Sequence, residues 1–102
     1  MAAQLLDRIR VSFVENVTST VLKQLLDDLY RDGVLNRGEA DSITEDDPGR
    51  ADRARNLIDT VVRKGDAASR AMINRLKERD LALSTRLGLR EELAAFDEMD
   101  LR

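Results

Sequence analysis

Apolar residues recur at helical spacing along almost the whole chain. Leu5, Ile9, Phe13 and Val17 fall at every fourth residue, as do Val21, Leu25 and Leu29, with Leu22 and Leu26 beside them. Residues four apart share one face of a helix, so each set is an apolar stripe with polar positions opposite. Ala51, Ala54, Leu57, Ile58, Val61 and Val62 predict a further amphipathic helix, and Ala68, Met72, Ile73 and Leu76 another. No stretch alternates with the period of two that a half-buried strand requires.

Punctuation divides this pattern into six helices. Thr18 and Ser19 interrupt the first stripe and are placed to cap the second helix. Gly33 follows the second stripe as a C-terminal stop. Asn36 with Glu39 three residues later resembles a capping box, opening a short third helix that carries Ala40 and Ile43. Pro48-Gly49 is a turn or helix-start signal before the fourth helix, and Gly65 ends that helix, with Asp66 placed to cap the fifth. Asp80 begins a short sixth helix through Leu83 and Leu87, closed by Gly88. Beyond Leu89 the pattern weakens. Glu91 to Phe96 could extend as helix, so residues 1–90 are expected to form one domain and 91–102 a tail or the start of a linker. Short connections and the absence of a repeat or low-complexity linker predict an all-α, compact helical bundle.

Composition removes most chemistry. The 102 residues contain no histidine and no cysteine. A thiol nucleophile, an imidazole base and an ordinary zinc site are therefore excluded, and neither a cofactor nor a metal is expected. Carboxylate pairs remain, but 20 acidic side chains make chance neighbours inevitable, and they read as solvated helix faces. The three methionines, Met1, Met72 and Met99, are scattered and form no adaptable binding stripe. The lack of cysteine favours a reducing compartment, and no apolar run approaches a membrane span or a signal core, so a cytoplasmic location is expected.

Charge adds a pattern that the net value of −3 conceals. Asn36 to Asp47 holds one basic residue, Arg37, against Glu39, Asp41, Glu45, Asp46 and Asp47. Pro48 to Arg90 holds eleven basic residues against five acidic ones, and the tail is acidic again. Such segregation suits complementary contact between copies or with a partner. Nucleic acid is not an expected partner, because no aromatic is interleaved with the basic residues and no binding motif is present.

Two clusters stand out. Asp27, Asp28 and Asp32 lie late on the second helix, where the dipole disfavours negative charge. Asp28 and Asp32, four apart, repel, and Lys23 and Arg31 offset this only in part. Helix stability does not account for their placement, which leaves an interaction role open. Arg63-Lys64, with Arg55 nearby, reads either as a helix end matched to its dipole or as an anionic-ligand site.

Longer runs carry a family resemblance. Gln24-Leu25-Leu26-Asp27-Asp28-Leu29, Gly33-Val34-Leu35-Asn36, Ala54-Arg55-Asn56-Leu57-Ile58-Asp59-Thr60-Val61, Lys64-Gly65 and Leu87-Gly88-Leu89 together resemble the caspase recruitment domain (CARD) of inflammatory caspases and their CARD-only relatives. The resemblance spans Met1 to about Leu89. It implies an antiparallel six-helix Greek-key bundle of the death-fold superfamily, with the first helix commonly bent or broken. It also implies homotypic CARD–CARD assembly between a basic face on helices one and four and an acidic face on helices two and three. Carried over by position, the basic face holds Arg10, Arg53 and Arg55, and the acidic face Asp27 and Asp28 with Glu39 and Asp41 nearby. Relatives often carry basic residues near the end of helix three, where this chain has Glu45, Asp46 and Asp47. Arg63 and Lys64 partly match basic residues of lipopolysaccharide-sensing relatives.

The resemblance implies a non-catalytic scaffold that recruits or oligomerises an inflammatory caspase through other CARDs, forming a filament. Alternatives are a CARD-only decoy that caps such assemblies, or direct lipopolysaccharide binding.

Overall fold

The computed structural model describes residues 2–46 and 49–88. The Pro48 signal and the helical continuation expected over Glu91–Phe96 lie outside the described residues. Among the described residues six helices follow in order: α1 (Ala2–Asn16), α2 (Ser19–Arg31), α3 (Arg37–Asp46), α4 (Arg50–Lys64), α5 (Asp66–Arg79) and α6 (Leu81–Arg86). Among the described residues there is no strand, and no helix is long and apolar enough to cross a membrane.

Helix ends follow local chemistry. The Thr18 hydroxyl accepts from the Val21 N–H at 3.1 Å, capping α2. Asn36 and Glu39 exchange side-chain-to-backbone bonds of 2.8 and 3.0 Å, a complete capping box at α3. The Asp80 carboxylate accepts from the Leu83 N–H at 3.0 Å and starts α6. At the end of α2, the Gly33 N–H reaches the Tyr30 carbonyl and the Val34 N–H reaches that of Leu29. This crossed pair needs a left-handed residue between them, and Gly33 supplies it at φ 80°.

Two ends are secured from a distance. Asp66 caps α1, not α5: its carboxylate accepts from the Ala3 N–H at 3.1 Å, while Gly65 occupies the α5 cap position. Arg50, at the start of α4, donates to the carbonyls of Val14 and Val17 at 2.6 and 2.9 Å. These are orphan acceptors at the end of α1, so one guanidinium closes α1 and ties it to α4. The first helix is uninterrupted from Ala2 to Asn16, in contrast to the broken form that the resemblance made common.

The stripes converge on one core. α1 packs along α4 and α5, α2 against α3, α4 and α5, α3 on α4, and α6 on α5. Phe13, Leu6, Leu25, Leu29, Leu57, Ile58, Met72, Ile73 and Leu76 are fully buried. Truncating any of these would leave a cavity that the neighbours refill only in part, which is why cores of this kind tolerate little volume change. Tyr30 stays outside, half-exposed, as do Val11 and Leu81.

Candidate interaction surface

The acidic residues of α2 separate into two kinds. Asp28 is fully buried. Its two oxygens accept from Nε and Nη2 of Arg79 on α5, each at 2.7 Å. The Arg79 hydrogen bonds hold the Asp28 carboxyl below the usual carboxylate range, against the opposing effect of burial. Asp32 is gripped in the same two-pronged way by Arg75, whose Nε donates at 2.7 Å, and its carboxyl is also lowered. The Asp28 carboxylate, placed on the acidic face by the resemblance, is therefore buried and paired within the chain and not presented at the surface. The like-charge repulsion expected within α2 is answered by two arginines of α5, so packing accounts for both carboxylates.

Asp27 differs. It is exposed, and among the described residues it has no ion pair. Leu26, Asp27 and the half-exposed Tyr30 of α2 face Arg37, Ala40, Asp41 and Thr44 of α3 across a shallow groove. Asp41 is exposed and only loosely held by Arg37, at 3.9 Å. The groove continues over Ser19, Leu22 and Lys23 to Arg50 and Arg53 at the start of α4. Arg53 and Asp27, placed on opposite faces by the resemblance, thus line one cleft.

The other basic candidates, Arg10, Arg55, Lys64 and Arg63, all have contacts within the chain. Arg10 of α1 donates to Asp59 of α4 through Nε and Nη2, at 2.8 and 2.9 Å, and this contact lowers the Asp59 carboxyl. Arg55 pairs with Asp52 one turn earlier on α4, at 2.8 Å. Lys64 reaches Glu39 of α3 at 2.8 Å. Glu39 is thus both a cap and a tether, and its carboxyl is lowered by Lys64 first and by the Asn36 N–H second. Arg63 is exposed and lies over Thr60, whose hydroxyl is 3.4 Å away. Because Glu39 sits against the Arg63-Lys64 cluster, an anionic ligand there would meet a carboxylate already in place.

The family pattern for the caspase recruitment domain matches residues 3–90. The chain belongs to the CARD family. This CARD is 36% identical to Caspase-1 of Felis catus over 89 residues, which is 87% of the chain and 22% of that protein. It is 34% identical to Caspase-1-A of Xenopus laevis over 91 residues, 89% of the chain and 23% of that protein. It is 34% identical to human Caspase recruitment domain-containing protein 18, covering 87% of the chain and 99% of that protein. The CARD therefore spans less than a quarter of the two caspases and nearly all of the CARD-only relative. No solved structure matches. The six helices are those of the all-α death fold, and the chain is a homotypic interaction module.

The lowered carboxyls make a prediction for this CARD. Asp28, Asp32, Glu39 and Asp59 all bind protons more weakly when folded than an ordinary carboxylate does. Their stabilisation is complete above the unfolded values of about 4 and is lost as pH falls through the lower folded values. Urea unfolding should give a nearly level free energy between about pH 5 and pH 7 and a decline below about pH 4. A domain that gains stability on acidification through that window would contradict the assignment.

Proposed function

We propose that this CARD assembles with other CARDs by placing the Asp27 edge of one copy against the α1/α4 face of the next, at Arg10 and Arg55. The observation that carries the reading is the exposed Asp27 carboxylate, without an ion pair among the described residues, beside Tyr30 and Asp41 on the α2/α3 surface. Asp27 can engage a cation without first breaking an ion pair within its own domain, as Asp28 would have to.

The two surfaces differ, so the contact is heterologous, and repetition without closure makes a filament. Exposed ion pairs contribute about 0–1 kcal/mol each, so several must act together. We take residues 1–90 as the domain and 91–102 as a tail or linker start, in a cytoplasmic protein. Its role needs no chemistry of its own. The caspase relatives suggest that it recruits or oligomerises an inflammatory caspase. A decoy, in which the chain caps an assembly of caspase CARDs, is the second reading, suggested by the similarity to a CARD-only relative. Lipopolysaccharide binding at Arg63 and Lys64 is the weakest reading, given that Glu39 already occupies Lys64.

Self-association should be followed by sedimentation while salt is raised to about 0.5 M, where screening confines exposed charges to a few ångströms. A steep loss of assembly is expected. Association indifferent to salt would contradict docking by exposed charges. Adding sub-stoichiometric chain to an assembling caspase CARD separates recruitment, which speeds growth, from capping, which stops it.

A further inference from the structure

The α1/α4 face differs from a simple basic patch in one respect. Asp52, Arg55 and Asp59 fall at i, i+3 and i+7 and share one stripe of α4, and Arg10 reaches that stripe from α1. Both arginines assigned to docking already hold carboxylates of their own chain, Arg10 with Asp59 and Arg55 with Asp52. Charge on these four residues cancels pairwise. None is buried: the side chains of Arg10 and Asp59 are 32% and 46% exposed, and those of Arg55 and Asp52 48% and 58%. Each pair is open to an incoming carboxylate.

We propose that Asp52 and Asp59 are in-chain competitors for the carboxylate of a second copy, holding the docking face neutral until assembly displaces them. This rests on the docking reading above and goes beyond it by assigning a role to the acidic residues of the basic face. A carboxylate attached to the same domain is always present at high effective concentration, while the partner's is present only at its own. The incoming Asp27 must take over donors from Asp52 or Asp59, and it also meets their like charge. Docking is thereby weakened, and the concentration at which assembly starts is raised. Asp59 also joins α1 to α4, whereas the Asp52–Arg55 pair lies within α4, so the two differ in structural consequence.

The test compares the onset concentration of assembly, by light scattering and pelleting, for the parent chain, Asp52→Asn, Asp59→Asn, Glu78→Gln and Asp27→Lys. Glu78 is exposed on α5 beside Arg75 and controls for the loss of one negative charge. Each asparagine variant should lower the onset by about two- to fivefold, the range that an exposed ion pair commands, and Glu78→Gln should leave it unchanged. An unchanged or raised onset for Asp52→Asn overturns the proposal, as does an equal drop for Glu78→Gln, which would assign the effect to net charge. If Asp59→Asn proves less stable on heating, Asp52→Asn decides alone, because the α1–α4 bond is intact in it. Asp27→Lys reports separately on the docking reading: parent-like assembly there removes that reading, whatever the asparagine variants do.

Discussion

Replacing Arg79 by alanine is expected to leave the Asp28 carboxylate without its partner, at a cost of about 1–3 kcal/mol in folding stability. Asp28 is 0% exposed and both of its oxygens are held by Arg79. A buried charge without a counter-charge is among the costliest single defects a domain can carry, and total stability is only about 5–15 kcal/mol. Urea unfolding near neutral pH measures the loss. The double variant Asp28→Leu with Arg79→Ala should recover much of it, because removing both partners leaves nothing charged to bury. The loss should also shrink in acid, since burial favours the neutral form of a stranded Asp28. Arg75→Ala should be milder, because Asp32 is partly solvated. A loss below about 1 kcal/mol for Arg79→Ala would place Asp28 in a wetter setting than the packing of α2 on α5 describes.

The second large effect is on assembly and not on folding. Asp27→Lys should raise the concentration needed for self-association more than tenfold. Reversing this charge removes the attraction to both Arg10 and Arg55, and a lysine cannot take their donors from Asp59 and Asp52, a combined loss beyond the 1.4 kcal/mol or so that a tenfold change represents. The fold should hardly notice, because Asp27 is exposed and surface substitutions usually change stability by less than about 0.5 kcal/mol. A thermal melt within a degree or two of the parent, with assembly lost, is the expected pairing of results. Reversal of its neighbour Asp28 should do the opposite, damaging the fold first.

That contrast between adjacent aspartates shows where the sequence was readable. Helix number, the apolar stripes, the Thr18 and Asp80 caps, the Asn36–Glu39 capping box and the Gly33 stop all rest on residues a few positions apart, and short-range spacing displays them. Asp28, too, carried a local signal. It lies seven residues after Val21, within about 20° of it around the helix and hence on the buried face, whereas Asp27 is turned well away. Its partner was not visible, because Arg79 is 51 residues along the chain. The same distance problem hid the Asp32–Arg75 pair, the Arg50 bonds to the end of α1, and Asp66, which sits beside α5 in sequence but caps α1. Rules for like charges four apart could not weigh cations supplied by another helix.

The candidate site was legible in part for the same reason. Family resemblance placed charges on faces, but the pairing of Arg10 with Asp59, Arg55 with Asp52 and Lys64 with Glu39 depends on rotamers and on helix packing. So does the meeting of Arg53 and Asp27 on one groove. Of the residues assigned to the acidic face, Asp27 and Asp41 are exposed, with Tyr30 beside them, while Asp28 is buried.

The most direct measurement is a charge exchange between copies. Asp27→Lys and Arg55→Glu are each purified and assayed by sedimentation and electron microscopy, first alone and then mixed in equal amounts. Docking of the Asp27 edge on the α1/α4 face predicts that each variant alone stays unassembled. The mixture should form alternating polymers. In one contact the Asp27 retained by the second variant meets the Arg55 retained by the first, and in the next the introduced lysine meets the introduced glutamate. Parent-like assembly by either variant alone, or a mixture as inert as its components, would contradict the account.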